Sequence, residues 1–109
     1  MEAWVAAWNA RDLDGIMAHY AEDVAFCSPT VVRRWGRADG WLHGREALRR
    51  NFEVGLQAPG LRFELLDVLD GVAAYCALYR RETGALVTDL VELDGAGLAR
   101  RVVACYGRP

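Results

Sequence analysis

An α+β fold, with helices gathered ahead of an antiparallel meander, is the class this sequence predicts. Two patterns carry the prediction. The first half of the chain sets apolar residues at helical spacing, and the second half holds strand-like runs separated by hairpin signals. A third observation concerns function: one acid, Asp89, interrupts the apolar run Leu86-Val87-Thr88-Asp89-Leu90-Val91-Glu92-Leu93.

Taken in order, Trp4 to Asn9 carry apolar side chains at helical spacing, and Asp12 can cap a second helix with the stripe Leu13, Ile16, Met17 and Tyr20. Val24 to Cys27 reads as a strand ended by Ser28-Pro29. Thr30 to Gly40, bearing Arg and Gly, reads as a loop, and Trp41-Leu42 as a short strand. Gly44 begins a third and longest helix, with Glu46 in its first turn and the stripe Leu48, Phe52, Gly55 and Leu56; Pro59-Gly60 stops it. Three hairpin signals follow: Asp70-Gly71 as a two-residue turn, Thr83-Gly84, and the longer Asp94-Gly95-Ala96-Gly97. They delimit four long antiparallel strands. Three helices then cover the concave face of a strongly curved sheet. The outer face is expected to carry Leu66, Val68, Leu90 and Cys105 among Arg62, Glu64, Glu92 and Arg101. Such a mixed surface predicts a homodimer paired through it.

The chain has 109 residues, 53% of them hydrophobic, which fits one domain over 1–109 burying about two-thirds of its unfolded surface. No stretch approaches the roughly 20 apolar residues of a membrane span, and the N-terminus lacks the basic-then-apolar layout of a signal peptide. A cytoplasmic protein without membrane contact is the expectation. Cys27, Cys76 and Cys105 form no CxxC pair, and with only His19 and His43 beside them no zinc-like spacing arises, so neither metal nor cofactor is expected. Net charge is −2, with acids and arginines interspersed, which argues against nucleic acid as a partner. All 13 basic residues are Arg, so no internal lysine can form a Schiff base.

Strand alternation turns Asp89 to the same side as Val87, Val91 and Leu93. A carboxylate there loses hydration, which raises its pKa and costs stability unless something offsets the burial. Asp89 is therefore either a site residue or a structural acid that meets an Arg or a backbone donor and fixes sheet register.

The phrases Trp8-Asn9-Ala10-Arg11-Asp12-Leu13-Asp14-Gly15-Ile16, Tyr20-Ala21-Glu22-Asp23-Val24, Leu42-His43-Gly44-Arg45-Glu46-Ala47-Leu48 and Glu92-Leu93-Asp94-Gly95-Ala96-Gly97, in this order and spacing, resemble the nuclear transport factor 2-like superfamily. More closely they resemble its bacterial SnoaL-like branch, which includes polyketide cyclases and neighbours ketosteroid isomerase. The resemblance spans nearly the whole chain and implies a cystatin-like roll, in which a curved sheet wraps three helices to form an apolar cone. It does not fix the activity, because the superfamily holds isomerases, cyclases, dehydratases, epoxide hydrolases and non-enzymatic binding proteins.

Carried over residue by residue, the isomerase pattern sets Asp89 where that family has a protonated Asp in its oxyanion hole. It also sets Ser28 at the general-base Asp, Trp4 at the oxyanion-hole Tyr and Phe52 at a supporting Tyr; only Tyr20 keeps its hydroxyl. Ketosteroid isomerisation is thus not implied. The resemblance to SnoaL-type cyclases implies instead that Asp89 acts as the base, with Tyr20 or the Trp4 N–H donating to an enolate oxygen.

By parity Trp4, Trp8, Phe26, Phe52, Val87, Val102, Ala104 and Tyr106, together with Ser28, line the cone as a ligand site, although aromatics also fill cores. His19 lies off its helix stripe and reads as a surface or rim residue; His43 reads as structural. Arg33, Arg34 and Arg37, near Trp35, either gate the pocket mouth, meet an anionic substrate or stay solvated. Arg80-Arg81 and Arg100-Arg101 each put one Arg on either strand face, so one of each pair can reach the cone and neutralise Asp89. Cys27 and Cys105 point away from it.

Three functions follow. The first is binding of a hydrophobic, carbonyl-bearing small molecule with proton transfer by Asp89 and Tyr20 as helper. The second is a non-catalytic ligand-binding or dimerisation module. The third is a limonene-type epoxide hydrolase, which needs a second inward acid, with Asp67 as the one candidate.

Overall fold

A computed structural model describes residues 1–108. Helices α1 (Glu2–Asn9) and α2 (Leu13–Met17) open the chain, followed by β1 (Tyr20–Cys27), α3 (Pro29–Trp35), β2 (Trp41–His43) and α4 (Arg45–Gly55). Strands β3 (Phe63–Gly71), β4 (Ala74–Arg81), β5 (Leu86–Leu93) and β6 (Ala99–Tyr106) complete one six-stranded sheet of order β2-β1-β6-β5-β4-β3. The α+β class and the four-strand antiparallel meander are as predicted. Strand β1 adds a parallel pairing with β6 and carries β2 on its far side. No helix among the described residues is long and apolar enough to cross a membrane.

Helix α4 buries the predicted stripe Leu48, Phe52 and Gly55, adding Asn51; Trp8 of α1 packs against Phe52, while Trp4 packs on Phe63 and Tyr79. The Asp12 carboxylate caps α2, accepting the Gly15 N–H at 3.0 Å.

Four expectations need correction. The 30–40 segment is not all loop, because Ser28 caps α3, accepting the Thr30 N–H at 3.2 Å, with Pro29 behind it in the first turn. Gly36, at φ 66°, ends that helix in the left-handed conformation. The described residues therefore form four helices rather than three. Tyr20 does not close α2 but opens β1, where it pairs with Ala99 of β6. The first hairpin turns at Val72-Ala73 rather than Asp70-Gly71, since Gly71 pairs with Ala74; ladder register overrides the turn preference of Asp-Gly.

The fourth correction concerns β3. Leu65 pairs with Tyr79 but Asp67 with Leu78, so Leu66 is the extra residue of a bulge. Beyond it the strand faces exchange. Val68, expected outside, joins Ala77, Asp89 and Ala104 in one row of the concave face, while Asp67 turns outward and is exposed. Leu66, Leu78, Leu90 and Cys105 lie exposed on the convex side.

Candidate functional site

The site is built on the row Ala77, Asp89 and Ala104, contributed by β4, β5 and β6. Asp89 thus lies between two alanines, which leave space in front of its carboxyl group. Along its own strand it is flanked on the same face by Val87 and Val91, as alternation required, and it is only 4% exposed. Among the described residues one side-chain donor reaches it: the Tyr79 hydroxyl donates to Oδ1 at 3.3 Å. Burial with so little compensation pushes the Asp89 carboxyl from 3.8 up to about 7, against the small opposing effect of Tyr79.

Tyrosines crowd the acid. Tyr20, Tyr75 and Tyr79 all have raised pKa values, first through burial and then through the nearby Asp89. The Tyr20 hydroxyl accepts the Trp4 indole N–H at 2.9 Å. Tyr20 and Trp4, with His19 and Tyr75, line a small recess on one side of Asp89. Burial, and then the chain's own N-terminal charge, lower the His19 pKa.

On the other side of Asp89 lies a larger cavity of about 40 Å³, room for about three waters. Its walls are aromatic: Trp8 meets Phe52 edge-on at 5.0 Å between ring centres, Phe26 meets Phe52 edge-on at 5.4 Å, and Phe63 lies 4.9 Å from Tyr79. Ser28, Thr30 and Asn51 supply buried polar atoms, though the Ser28 and Thr30 hydroxyls are bound to each other at 2.9 Å. The Trp8 Nε1 is buried with no acceptor among the described residues.

Of the residues expected to line the cone, Trp4, Trp8, Phe26, Ser28, Phe52, Ala104 and Tyr106 meet around this cavity with Asp89. Val87 and Val102 do not line it. Each is 1% exposed and belongs to the hydrophobic core beside the acid. Tyr20 lies across Asp89 from the cavity rather than in its wall.

Arg81 does reach the cavity, but it does not neutralise Asp89. It pairs with Glu82 at 3.0 Å, donates to the Tyr106 hydroxyl at 3.1 Å and lies over the Phe63 ring. Arg100 and Arg101 both pair with Glu92 outside. Of the loop arginines, Arg34 lines the cavity, whereas Arg33 and Arg37 are exposed and Arg37 donates to the Trp41 carbonyl. Tyr79, Phe63, Thr30 and Asn51 were not anticipated. Tyr79 stands two residues along β4 from Ala77, the partner of Asp89, a placement set by cross-strand register rather than by the sequence of either strand.

The model of the SnoaL-like domain family matches residues 1–107. A SnoaL-like protein of unknown function from Burkholderia thailandensis superposes with a TM-score of 0.93 and is 31% identical, over 98% of this chain and 90% of that one. Two further solved structures share the fold at lower identity. One, from Kribbella flavida, is provisionally described as a ketosteroid isomerase (TM-score 0.76, 18% identity, 99% and 75% of the two chains). The other, from Mycobacterium tuberculosis, was solved in complex with estradiol-17β-hemisuccinate (TM-score 0.73, 17% identity, 97% and 89%). Among curated proteins there is no match. With a family match over almost its full length and a 31% identical structural relative, this chain belongs to the SnoaL-like family.

Proposed function

We propose that the protein binds a small carbonyl-bearing molecule in the aromatic cavity and moves a proton on it through Asp89. The observation that carries this reading is the buried Asp89 carboxyl at the cavity's inner end, with one weak donor and a pKa raised to about 7. Near neutrality both of its forms are populated, which suits a general base that must also return the proton. The carboxylate takes a hydrogen from the carbon next to the carbonyl, leaving an enolate. The resulting acid then delivers the proton to carbon again, with no net change in the protein.

Tyr20 supports this chemistry by position. Its hydroxyl holds the Trp4 N–H and so fixes the Trp4 ring in the cavity wall. The unpartnered Trp8 N–H is a donor available to a bound carbonyl oxygen. The estradiol-17β-hemisuccinate complex of the mycobacterial neighbour supports small-molecule binding as the use of this fold, although a cavity of about 40 Å³ admits only a compound of a few heavy atoms without ring movements.

A non-catalytic binding role is the second reading, favoured by the position of Ser28. Its hydroxyl is tied to Thr30, and Asp89 is the one carboxylate lining the cavity among the described residues. Epoxide hydrolysis lacks its second acid, since Asp67 is exposed and held by the Val68 N–H.

Deuterium exchange separates the two readings. In D₂O the protein is expected to wash out the α-hydrogens of butanone, followed by NMR, with a rate that rises with pH and levels off above about 7. Asp89→Asn is expected to slow the exchange by about 10²–10⁴-fold. Butanone binding without exchange would make the protein a binding module.

A further inference from the structure

The cavity has a mouth, and its chemistry differs from that of its walls. Of the residues lining the cavity all are buried except three, Arg34, Arg81 and Tyr106, so the opening to solvent lies among these side chains. Two guanidinium groups and a phenol therefore frame the entrance to an otherwise aromatic chamber. Glu82 answers the charge of Arg81, leaving one of the two positive charges without a counterpart.

That charge belongs to Arg34. Its Nη1 donates to the Asn51 main-chain carbonyl at 3.3 Å and to Asn51 Oδ1 at 3.0 Å, both neutral acceptors. No carboxylate of the described residues lies within 4.0 Å of it. Burial lowers its pKa, the mark of a cation that has lost water without gaining an anion. The surroundings hold it there. Asn51 is 1% exposed, and its Oδ1 also accepts the Trp35 indole N–H at 3.1 Å, so the amide is fixed with its oxygen toward the guanidinium. Gly55 leaves the neighbouring space open: a β-carbon there would lie 3.5 Å from Nη2 of Arg34 and 3.4 Å from the Trp8 ring. A larger side chain at 55 would fill the mouth.

We infer that the mouth receives a carboxylate, and that the ligand is a small oxo acid whose charged end meets Arg34, beside Arg81, while its carbonyl end enters toward Trp8 and Asp89. This rests on the reading that the cavity takes a carbonyl compound, and it names the class. A guanidinium fork is matched to a carboxylate in shape as well as charge. The opposite orientation would leave the Arg34 guanidinium without an anion and set the ligand's charge against Asp89 whenever that carboxyl is ionised to act as a base, so charge favours the acid end at the mouth. The buried Trp8 N–H then has an oxygen to meet.

Calorimetric titration with 2-oxobutanoate and 4-oxopentanoate, each against its uncharged primary amide at low salt and near pH 6, tests this. The acids are expected to bind at least about tenfold more tightly than the amides, with the difference shrinking as salt is added. Arg34→Gln is expected to abolish the preference and Arg34→Lys to retain part of it. Should Arg34→Gln not fold, as judged by circular dichroism, the wild-type acid-to-amide ratio and Arg34→Lys still decide. Equal binding of acid and amide would overturn the inference while leaving the cavity reading intact. A preference that survives Arg34→Gln would overturn the assignment to Arg34. Failure of both acids and amides to bind would overturn the carbonyl-binding reading along with it.

Discussion

At pH 8 the Asp89→Asn protein is expected to melt about 10 °C above the wild type. The folded-state pKa of Asp89 is about 7 against an ordinary 3.8, and the group is buried, so the gap corresponds to about 4 kcal/mol. Below about pH 4 the acid is protonated in both folded and unfolded chains, and its burial carries no ionisation cost. Between about pH 4 and 7 the unfolded chain releases the proton while the folded one keeps it, so stability falls as pH rises. Above about 7 the folded acid ionises too and the full cost is present. Asparagine has nearly the same shape, opens no cavity, and its Oδ1 can still accept from Tyr79. For a domain of this size each kcal/mol shifts Tm by about 4 °C, and some of the gain is lost in rearranged hydrogen bonds. Thermal melts of both proteins from pH 4 to pH 8 check the prediction: the curves converge at the acid end and separate toward the alkaline end. A variant that melts below the wild type at pH 8 would show that Asp89 is a satisfied structural acid.

Phe52→Ala carries the largest expected loss. Phe52 is 5% exposed and joins α4 to both other sides of the core: its ring lies 5.0 Å from Trp8, 5.4 Å from Tyr20 and 5.4 Å from Phe26. Removing a buried phenyl ring costs about 3–5 kcal/mol, because the void adds to the lost transfer energy. A Tm fall of at least about 12 °C follows. Phe52 also lines the cavity, so the deletion enlarges it. Saturating benzene is expected to restore part of the lost Tm in the variant and to leave the wild type unchanged, since an apolar void binds such molecules. Denaturant unfolding that showed a loss below about 1 kcal/mol would mean the core closes over the gap and that the aromatic cluster is not rigid.

The burial of Asp89 was legible because a strand's alternation is rigid once its apolar run is recognised, and Val87 and Val91 fix its face. The stripes of α1 and α4 were legible for the same reason at the helical period. The bulge at Leu66 was not, since one inserted residue leaves the composition of β3 unchanged while exchanging every face beyond it. That is why Val68 and Asp67 changed sides. Helix α3 was masked by Val31 and Val32, which favour strands; its Ser28-Pro29 start and Gly36 stop were present and read as a strand end and a loop. Missing that helix left open where Arg34 would point. Within the site, the gathering of Trp4, Trp8, Phe26 and Phe52 followed from their spacing. The Tyr79 contact to Asp89 and the pairing of Arg81 with Glu82 depend on cross-strand register, which only the assembled sheet supplies.

The ¹³C chemical shift of the Asp89 carboxyl carbon, followed from pH 4 to pH 9 in the folded protein, reads the protonation of the central group directly. A midpoint near 7 is the result predicted for a buried acid poised to exchange protons at neutral pH. A midpoint below about 5 would mean that Asp89 is an ordinary ionised carboxylate, and the proposal of a proton-transfer site would fall with it.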